Sequence, residues 1–305
     1  MTGSGETRLA LKIDVDTHAG LAGGVPAIAA RLAARGIRAS FFVVCGPDRM
    51  GRRLGRLLRP GFVVKLLRTR AVRVYGWRTL LSGTLLPARP VAGAFPVLLR
   101  QLVGAGHEVG VHGYDHARWQ DHLPGLSAAE VALEVTRARA IYRDVMAAEP
   151  SGFAAPGWRC TVQSLAAVER AGFAYRSDTR GVGPYLPVVA GERFRVPEIP
   201  TTLPTLDEIY GVVDRRPEAL ADHVLARLRP GTLNVHTLHA ELEGGPHLDV
   251  LDALLAGAAG AARFVRLCDE AAALSADALP RCTVAEGVVP GRAMPVALQG
   301  APAAA

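Results

Sequence analysis

The chain has 305 residues, half of them hydrophobic, enough for one large α/β core or two average domains. It contains no run of 18 apolar residues, which argues against a membrane-spanning helix. Its cysteines (Cys45, Cys160, Cys268, Cys282) lack CxxC spacing, which argues against a zinc-thiolate cluster or a disulfide framework. The net charge of +7 belongs to one segment: residues 49–107 hold 12 of the 35 Lys and Arg and no Asp or Glu, leaving 23 basic against 28 acidic residues elsewhere.

The first eight residues are polar and lack the basic-then-apolar pattern of a secretion signal, so a cytoplasmic protein is expected. Leu9 to Val15 reads as a strand. Within and just after it stand Asp14 and Asp16, which share a face because strand side chains alternate. Two neighbouring acids repel unless a cation or a shared proton intervenes; the plainer alternative is a helix cap beside a surface acid. Gly24 to Arg35 places Val25, Ile28, Ala29 and Leu32 at helical spacing and stops at Gly36. Arg38 to Val44 is a buried strand. Strand, helix and strand with short joints predict parallel βα units.

Residues 47–90 depart from this pattern. Pro60-Gly61 divides the segment into two short helical pieces, and a third is expected around Val74 to Leu81. Each mixes Leu, Val, Phe, Tyr or Trp with Arg or Lys every three or four residues. That is the composition of helices lying in a bilayer interface, with cations towards anionic headgroups. A helical subdomain with a solvated basic face would look similar. No nucleic-acid motif accompanies the charge, so no nucleic-acid partner is expected.

The alternation then resumes. Val91 to Ala105 is a helix and His107 to Gly113 a strand. Ser127 and Glu130 form a capping box that opens a helix to about Ala147. Gly152 to Ala155, Phe173 to Ser177, Arg193 to Ile199, Thr232 to Thr237 and Arg263 to Leu267 read as strands. Helices are expected at Thr161 to Arg170, Arg216 to Leu228 and Leu248 to Ala258. From Leu279 the chain is rich in Ala, Pro and Gly and reads as a loose tail. The expectation is an α/β fold: a distorted (β/α) barrel of seven or eight βα units over residues 1–278, an inserted basic amphipathic helical segment at 47–90, and a tail at 279–305.

Polar residues capable of chemistry follow the strands: Asp14 and Asp16, His112 and His116, Asp178, His236 and His239. In a (β/α) barrel such strand ends share one mouth. His112 and His116 are four apart, a spacing that lets two imidazoles hold one metal, and Asp16 would complete a two-His, one-carboxylate set with positions left for water and substrate. This set suits hydrolysis of an amide or ester, with His239 a candidate acid for the leaving group. His236 lies within its strand and reads as an interior histidine.

In order, IDVDT, HGYDH, AAPGWR (154–159), YRSDTRG (175–181) and HTLHAELEG (236–244) resemble the motifs of the polysaccharide deacetylase (NodB-homology) superfamily. The similarity runs from about Leu9 to Leu279. The stretches DRMGR (48–52), Pro60, YGW (75–77) and IPTTLPTLDE (199–208) resemble a branch that deformylates a lipid-linked formamido sugar. The resemblance implies Asp14 as base, Asp16, His112 and His116 as ligands of one divalent metal (Zn, Co or Mn), His239 as general acid, and Asp178 as an acid orienting the catalytic groups. Two departures stand out. An adjacent Asp pair in the superfamily is Asp-Val-Asp here, and an Arg ahead of the motif-three Pro is Ala154-Ala155, for which Arg159 is the candidate substitute.

The implied reaction removes formyl from undecaprenyl-phosphate-linked 4-deoxy-4-formamido-L-arabinose, in the route to amino-sugar-modified lipid A and resistance to cationic peptides such as polymyxin. The enzyme would work from the cytoplasm, peripherally attached to the anionic inner-membrane surface. Arg52, Arg53, Arg56, Arg59, Lys65, Trp77 and Arg159 are the candidate substrate- and membrane-binding residues. The sequence leaves open a soluble carbohydrate or small-amide deacetylase and a non-catalytic, membrane-attached lipid-phosphate binder.

Overall fold

The computed structural model describes residues 5–52 and 77–303. Its organising strand is β1 (Arg8–Val15), buried along nearly its whole length. One edge of β1 pairs in parallel with β8 (Leu233–His239). The other edge is shared between β2 (Ser40–Val43), beside Lys12 to Val15, and β9 (Arg263–Val265), beside Arg8 to Ala10. Beyond β2 follow β3 (Glu108–Val111), β4 (Gly152–Phe153) and β5 (Tyr175–Arg176), all parallel, which makes seven strands.

β5 and β8 do not touch, and an irregular segment bridges them. Arg176 N–H donates to Pro197 O and Ile199 N–H donates to Arg176 O. Further along, Thr202 and Leu203 N–H both donate to Val235 O. This segment was expected to contain a strand over Arg193 to Ile199. Only β7 (Glu192–Arg193) is regular, and it belongs to another sheet. Pro197, Pro200 and Pro204 explain the difference, because proline brings no N–H to a ladder. The segment fills the place of a barrel strand without being one.

Alternation along β1 sorts two environments. Leu9, Leu11, Ile13 and Val15 point outward into the main hydrophobic cluster under the helices. Ala10 points into a smaller cluster with Phe42, Ala154, Tyr175, Ile199 and Val235, and Lys12 and Asp14 share its face. The covering helices include α1 (Val25–Ala33), α2 (Pro96–Gly104), α3 (His116–His122), α4 (Ala128–Met146) and α5 (Val162–Arg170). The Ser127–Glu130 capping box opens α4 as the sequence predicts. Past β5 come α6 (Leu206–Ile209), α7 (Pro217–Leu225), α8 (Leu248–Ala258) and α9 (Leu267–Ala273).

The expected loose tail is instead ordered structure. β10 (Arg281–Gly287) and β11 (Val296–Pro302) form an antiparallel hairpin. β10 lies parallel to β6 (Leu186–Val189), itself paired with β7, giving a second sheet in the order β11-β10-β6-β7. Cys282, Val296 and Ala297 are the hairpin's buried anchors. Its short side chains hid a burial pattern that larger ones would have displayed.

Of the basic insertion, residues 53–76 lie outside the described part. Its two ends meet: Pro47 and Pro90 form a bridge, and Ser82 Oγ donates to Asp48 O at 2.8 Å. Among the described residues no helix is long and apolar enough to cross a membrane.

Candidate active site and metal centre

The strand ends converge as a barrel requires. Just beyond β1, Asp16 Oδ1 lies 3.2 Å from His112 Nε2 and 3.2 Å from His116 Nε2. One ligand atom from each of the three residues falls within 4.8 Å of the others, and all three side chains are buried. His112 follows β3, and its Nδ1 is 2.8 Å from Ala154 O. A carbonyl only accepts, so Nδ1 carries the proton and Nε2 presents its lone pair to the cluster. His116 opens α3 behind its N-cap Asp115, whose carboxylate accepts from Arg118 N–H. Gly113, at φ +73°, makes the turn that brings the two rings together, their centroids 5.3 Å apart.

A lone pair facing a carboxylate oxygen at this distance is repulsive unless a cation lies between them. Among the described residues Asp16 Oδ1 has no hydrogen-bond donor. Burial alone would raise the Asp16 pKa, but protonated His116 and His112, through charge and hydrogen bonding, would outweigh it and hold the carboxyl well below its usual range, so the spot favours a cation. The donor set of two imidazole nitrogens and one carboxylate oxygen fits a divalent metal and leaves coordination positions open.

Glu241 holds the Asp16 loop. Its Oε1 accepts from Asp16 N–H (3.1 Å), Thr17 N–H (2.8 Å) and the Thr17 hydroxyl (2.7 Å). Burial, then the charge of Asp16, pushes its carboxyl up to about 8. Gly20 makes room for it: a Cβ there would stand 2.1 Å from Glu241 Oε1. The sequence reading gave Glu241 no role. The available signal was an acid two residues past His239, in the same motif.

Asp14 and His239 are register partners on β1 and β8, so the candidate base and acid sit side by side at the mouth. Asp14 is buried, and its Oδ1 has no hydrogen-bond partner among the described residues. Its Oδ2 is 3.4 Å from Lys12 Nζ. Lys12, fully buried, donates to Ser177 O at 3.2 Å and lies 5.7 Å from the Phe42 ring centroid and 5.2 Å from that of Trp158. The sequence reading missed Lys12, which looks in sequence like one polar residue in an apolar strand. His239 N–H donates to Glu243 Oε2 at 2.9 Å, and its ring meets Trp158 edge to face at 6.1 Å.

Asp178 is buried just past the end of β5. Burial, then the charge of Glu198, pushes its carboxyl well above the usual range, against the pull of Arg176 and Lys12. Glu198 accepts from Asp178 N–H at 2.7 Å and so fixes that turn. His236 is on the opposite face of β8 from His239. It lines a small cavity with Leu206, Ile209, Leu220 and Glu243, and burial, then Arg180, lowers it to about 3.

Arg159 does not stand in beside Asp14. Its guanidinium is engaged by Glu286 Oε1 (3.0 Å) and Pro295 O (3.3 Å) of the C-terminal hairpin and its loop. The cation beside Asp14 is Lys12. Arg52 is exposed and reaches Gly83 O at 3.4 Å, and Trp77 is 59 % exposed. Arg53, Arg56, Arg59 and Lys65 lie outside the described residues. The base of the insertion is tied to both ligand loops. Asp48 accepts from His18 N–H at 3.3 Å, two residues after Asp16, while Arg49 Nη1 is 2.5 Å from Asp115 Oδ2, next to His116.

Comparison with known proteins agrees with this geometry. Residues 5–176 match the family model described as polysaccharide deacetylase. Over 238 residues the chain is 38 % identical to a probable 4-deoxy-4-formamido-L-arabinose-phosphoundecaprenol deformylase of Shewanella sediminis, covering 78 % of this chain and 77 % of that protein. A protein of the same description from Wigglesworthia glossinidia brevipalpis is 30 % identical over 226 residues, covering 72 % and 77 %. In fold, the chain is similar to a Mycobacterium smegmatis protein described as a polysaccharide deacetylase, with a TM-score of 0.63 at 18 % identity over 95 % of this chain and 97 % of that one. With a metal-binding triad, a paired acid and histidine, and this match, the chain belongs to the polysaccharide deacetylase family.

Proposed function

We propose that the protein is a metal-dependent deformylase that hydrolyses the formamide of undecaprenyl-phosphate-linked 4-deoxy-4-formamido-L-arabinose, releasing formate and the 4-amino sugar destined for lipid A. The observation that carries the chemistry is the adjacency of Asp14 and His239 beside the Asp16, His112 and His116 cluster. The similarity to the two deformylases supports the substrate.

Asp16, His112 and His116 would hold one divalent ion, of which zinc, cobalt and manganese all suit two imidazoles and a carboxylate. Such an ion supplies Lewis acidity and lowers the pKa of a bound water. Asp14 takes the proton from the attacking water, its charge balanced by Lys12. His239 delivers a proton to the departing sugar nitrogen. Among the described residues its Nδ1 has no partner, which leaves that atom available to exchange protons. Asp178 acts as an acid that shares the buried field of Lys12 and helps orient the catalytic groups. The test is formate release from the metal-reconstituted protein. The formamido lipid should turn over at least about 10-fold faster than its acetamido analogue, since a pocket shaped for formyl crowds the extra methyl. Equal rates, or no formate, would refute the assignment.

The substrate cannot leave the bilayer, so the enzyme must come to it, as a peripheral protein at the cytoplasmic face of the inner membrane. Exposed Trp77, Leu85 and Val97 on and next to the acid-free segment supply apolar contacts, and Arg52 and its neighbours Arg53, Arg56, Arg59 and Lys65 supply the charge. Ties from the insertion base to both ligand loops would set the mouth beside the membrane. Sedimentation with vesicles containing anionic lipid is expected at low salt, weakening as salt rises. A protein that stays in the supernatant at low salt would remove the interfacial role.

A further inference from the structure

The wall of the mouth next to His239 joins Trp158 to parts of the chain beyond residue 176, where the family match ends. Trp158 stands at its centre, with its backbone in the left-handed region at φ +52°. A non-glycine residue stays there only where its surroundings over-determine it. The surroundings are explicit. The indole N–H donates to Thr201 Oγ1 at 3.0 Å. The Arg180 and Arg292 guanidiniums lie 5.4 and 4.5 Å from the ring centroid. Arg180 is paired with Glu208, and Arg292 Nη1 lies 3.3 Å from Glu208 Oε1 and 3.6 Å from Asp207 Oδ2.

Arg292 comes from the loop between β10 and β11. Gly291, at φ +85°, lets this loop press onto α6: a Cβ there would sit 2.1 Å from Glu208 O. The loop therefore carries its arginine inward. The Arg292 side chain is 7 % exposed, and the acids that neutralise it lie on the Pro-rich segment closing the barrel. Thus the C-terminal hairpin, that segment and Trp158 form one connected unit ending on the His239 ring.

We propose that the β10–β11 hairpin is a wall of the active site and that Arg292 is a positioning residue, holding the Trp158 indole against His239. The argument rests on the deformylase reading only in giving His239 the role of proton donor. Beside Lys12, the arrangement brings two arginines close to the indole, both balanced by Asp207 and Glu208, so the donor is held in place without an added net charge. Without Arg292 the indole loses its nearest stacked cation and one restraint on its strained backbone.

The test uses full-length, metal-loaded Arg292→Met and Arg292→Lys, with kcat, KM and histidine-selective NMR as readouts. The His239 resonance is assigned by its loss in His239→Gln. Arg292→Met is expected to lower kcat about 10-fold with KM changed less than about twofold. It should also move the His239 ring resonance while those of His112 and His116 stay. Arg292→Lys keeps the ion pair and hence the fold, and is expected to show about a threefold loss and a smaller movement in the same direction. An unmoved His239 resonance and unchanged kcat in the folded variants would overturn the proposal. If the unaltered protein releases no formate, the functional reading fails, and the resonance still decides the role of Arg292.

Discussion

Asp14→Asn is expected to abolish nearly all turnover, by about 1,000-fold in kcat, while the protein still binds its metal stoichiometrically. Asn keeps the shape of the side chain but cannot accept the proton of the attacking water. The proposed mechanism divides the work of the two IDVDT acids by position. Asp16 meets both imidazoles, whereas Asp14 meets Lys12 and faces His239 across the β1–β8 ladder. Formate release read together with metal content separates these roles. Asp16→Asn should lose metal, and Asp14→Asn should not. If Asp14→Asn kept the full rate, another group would be the base; if it emptied the site, Asp14 would be a ligand.

Lys12→Met is expected to cost about 3–5 kcal/mol of stability and most of the activity, because it leaves a buried carboxylate without its counter-charge. Both side chains of the pair are almost wholly buried at 3.4 Å, so solvent screens little of the loss. The double variant Lys12→Met/Asp14→Asn removes both charges and should regain most of the stability though none of the activity. Urea unfolding of the four proteins at one pH gives the coupling. Additive losses would mean that Lys12 is held by Ser177 O and the aromatic rings rather than by Asp14.

Much of the mouth was legible because its residues come in short motifs after apolar strands. Asp14, Asp16, His112, His116 and His239 needed only alternation and strand-end logic to be gathered. Lys12 was not legible: a lone polar residue in a strand gives no sign that it faces a closed interior. Glu241 was hidden for a related reason, since its partners are backbone N–H groups far away in sequence. The sequence made Arg159 the replacement cation because it follows the right proline, but chain proximity did not decide which cation lies beside Asp14; it is Lys12. The C-terminal hairpin escaped notice because its anchors are small. The strand expected over Arg193 to Ile199 was a misreading of apolar content, whereas the prolines in and after it prevent a regular ladder.

The central position of β1 has a consequence for how the protein is made. β1 leaves the ribosome long before β8, and β2 can cover part of one edge early. Its other edge waits for β8, and its acidic loop waits for Glu241, 225 residues downstream of Asp16. During that interval a strand destined to be almost wholly buried has an open edge, a condition that favours wrong pairing. Synthesis that stalls before the C-terminal third would therefore leave an aggregation-prone fragment, not a partly active enzyme.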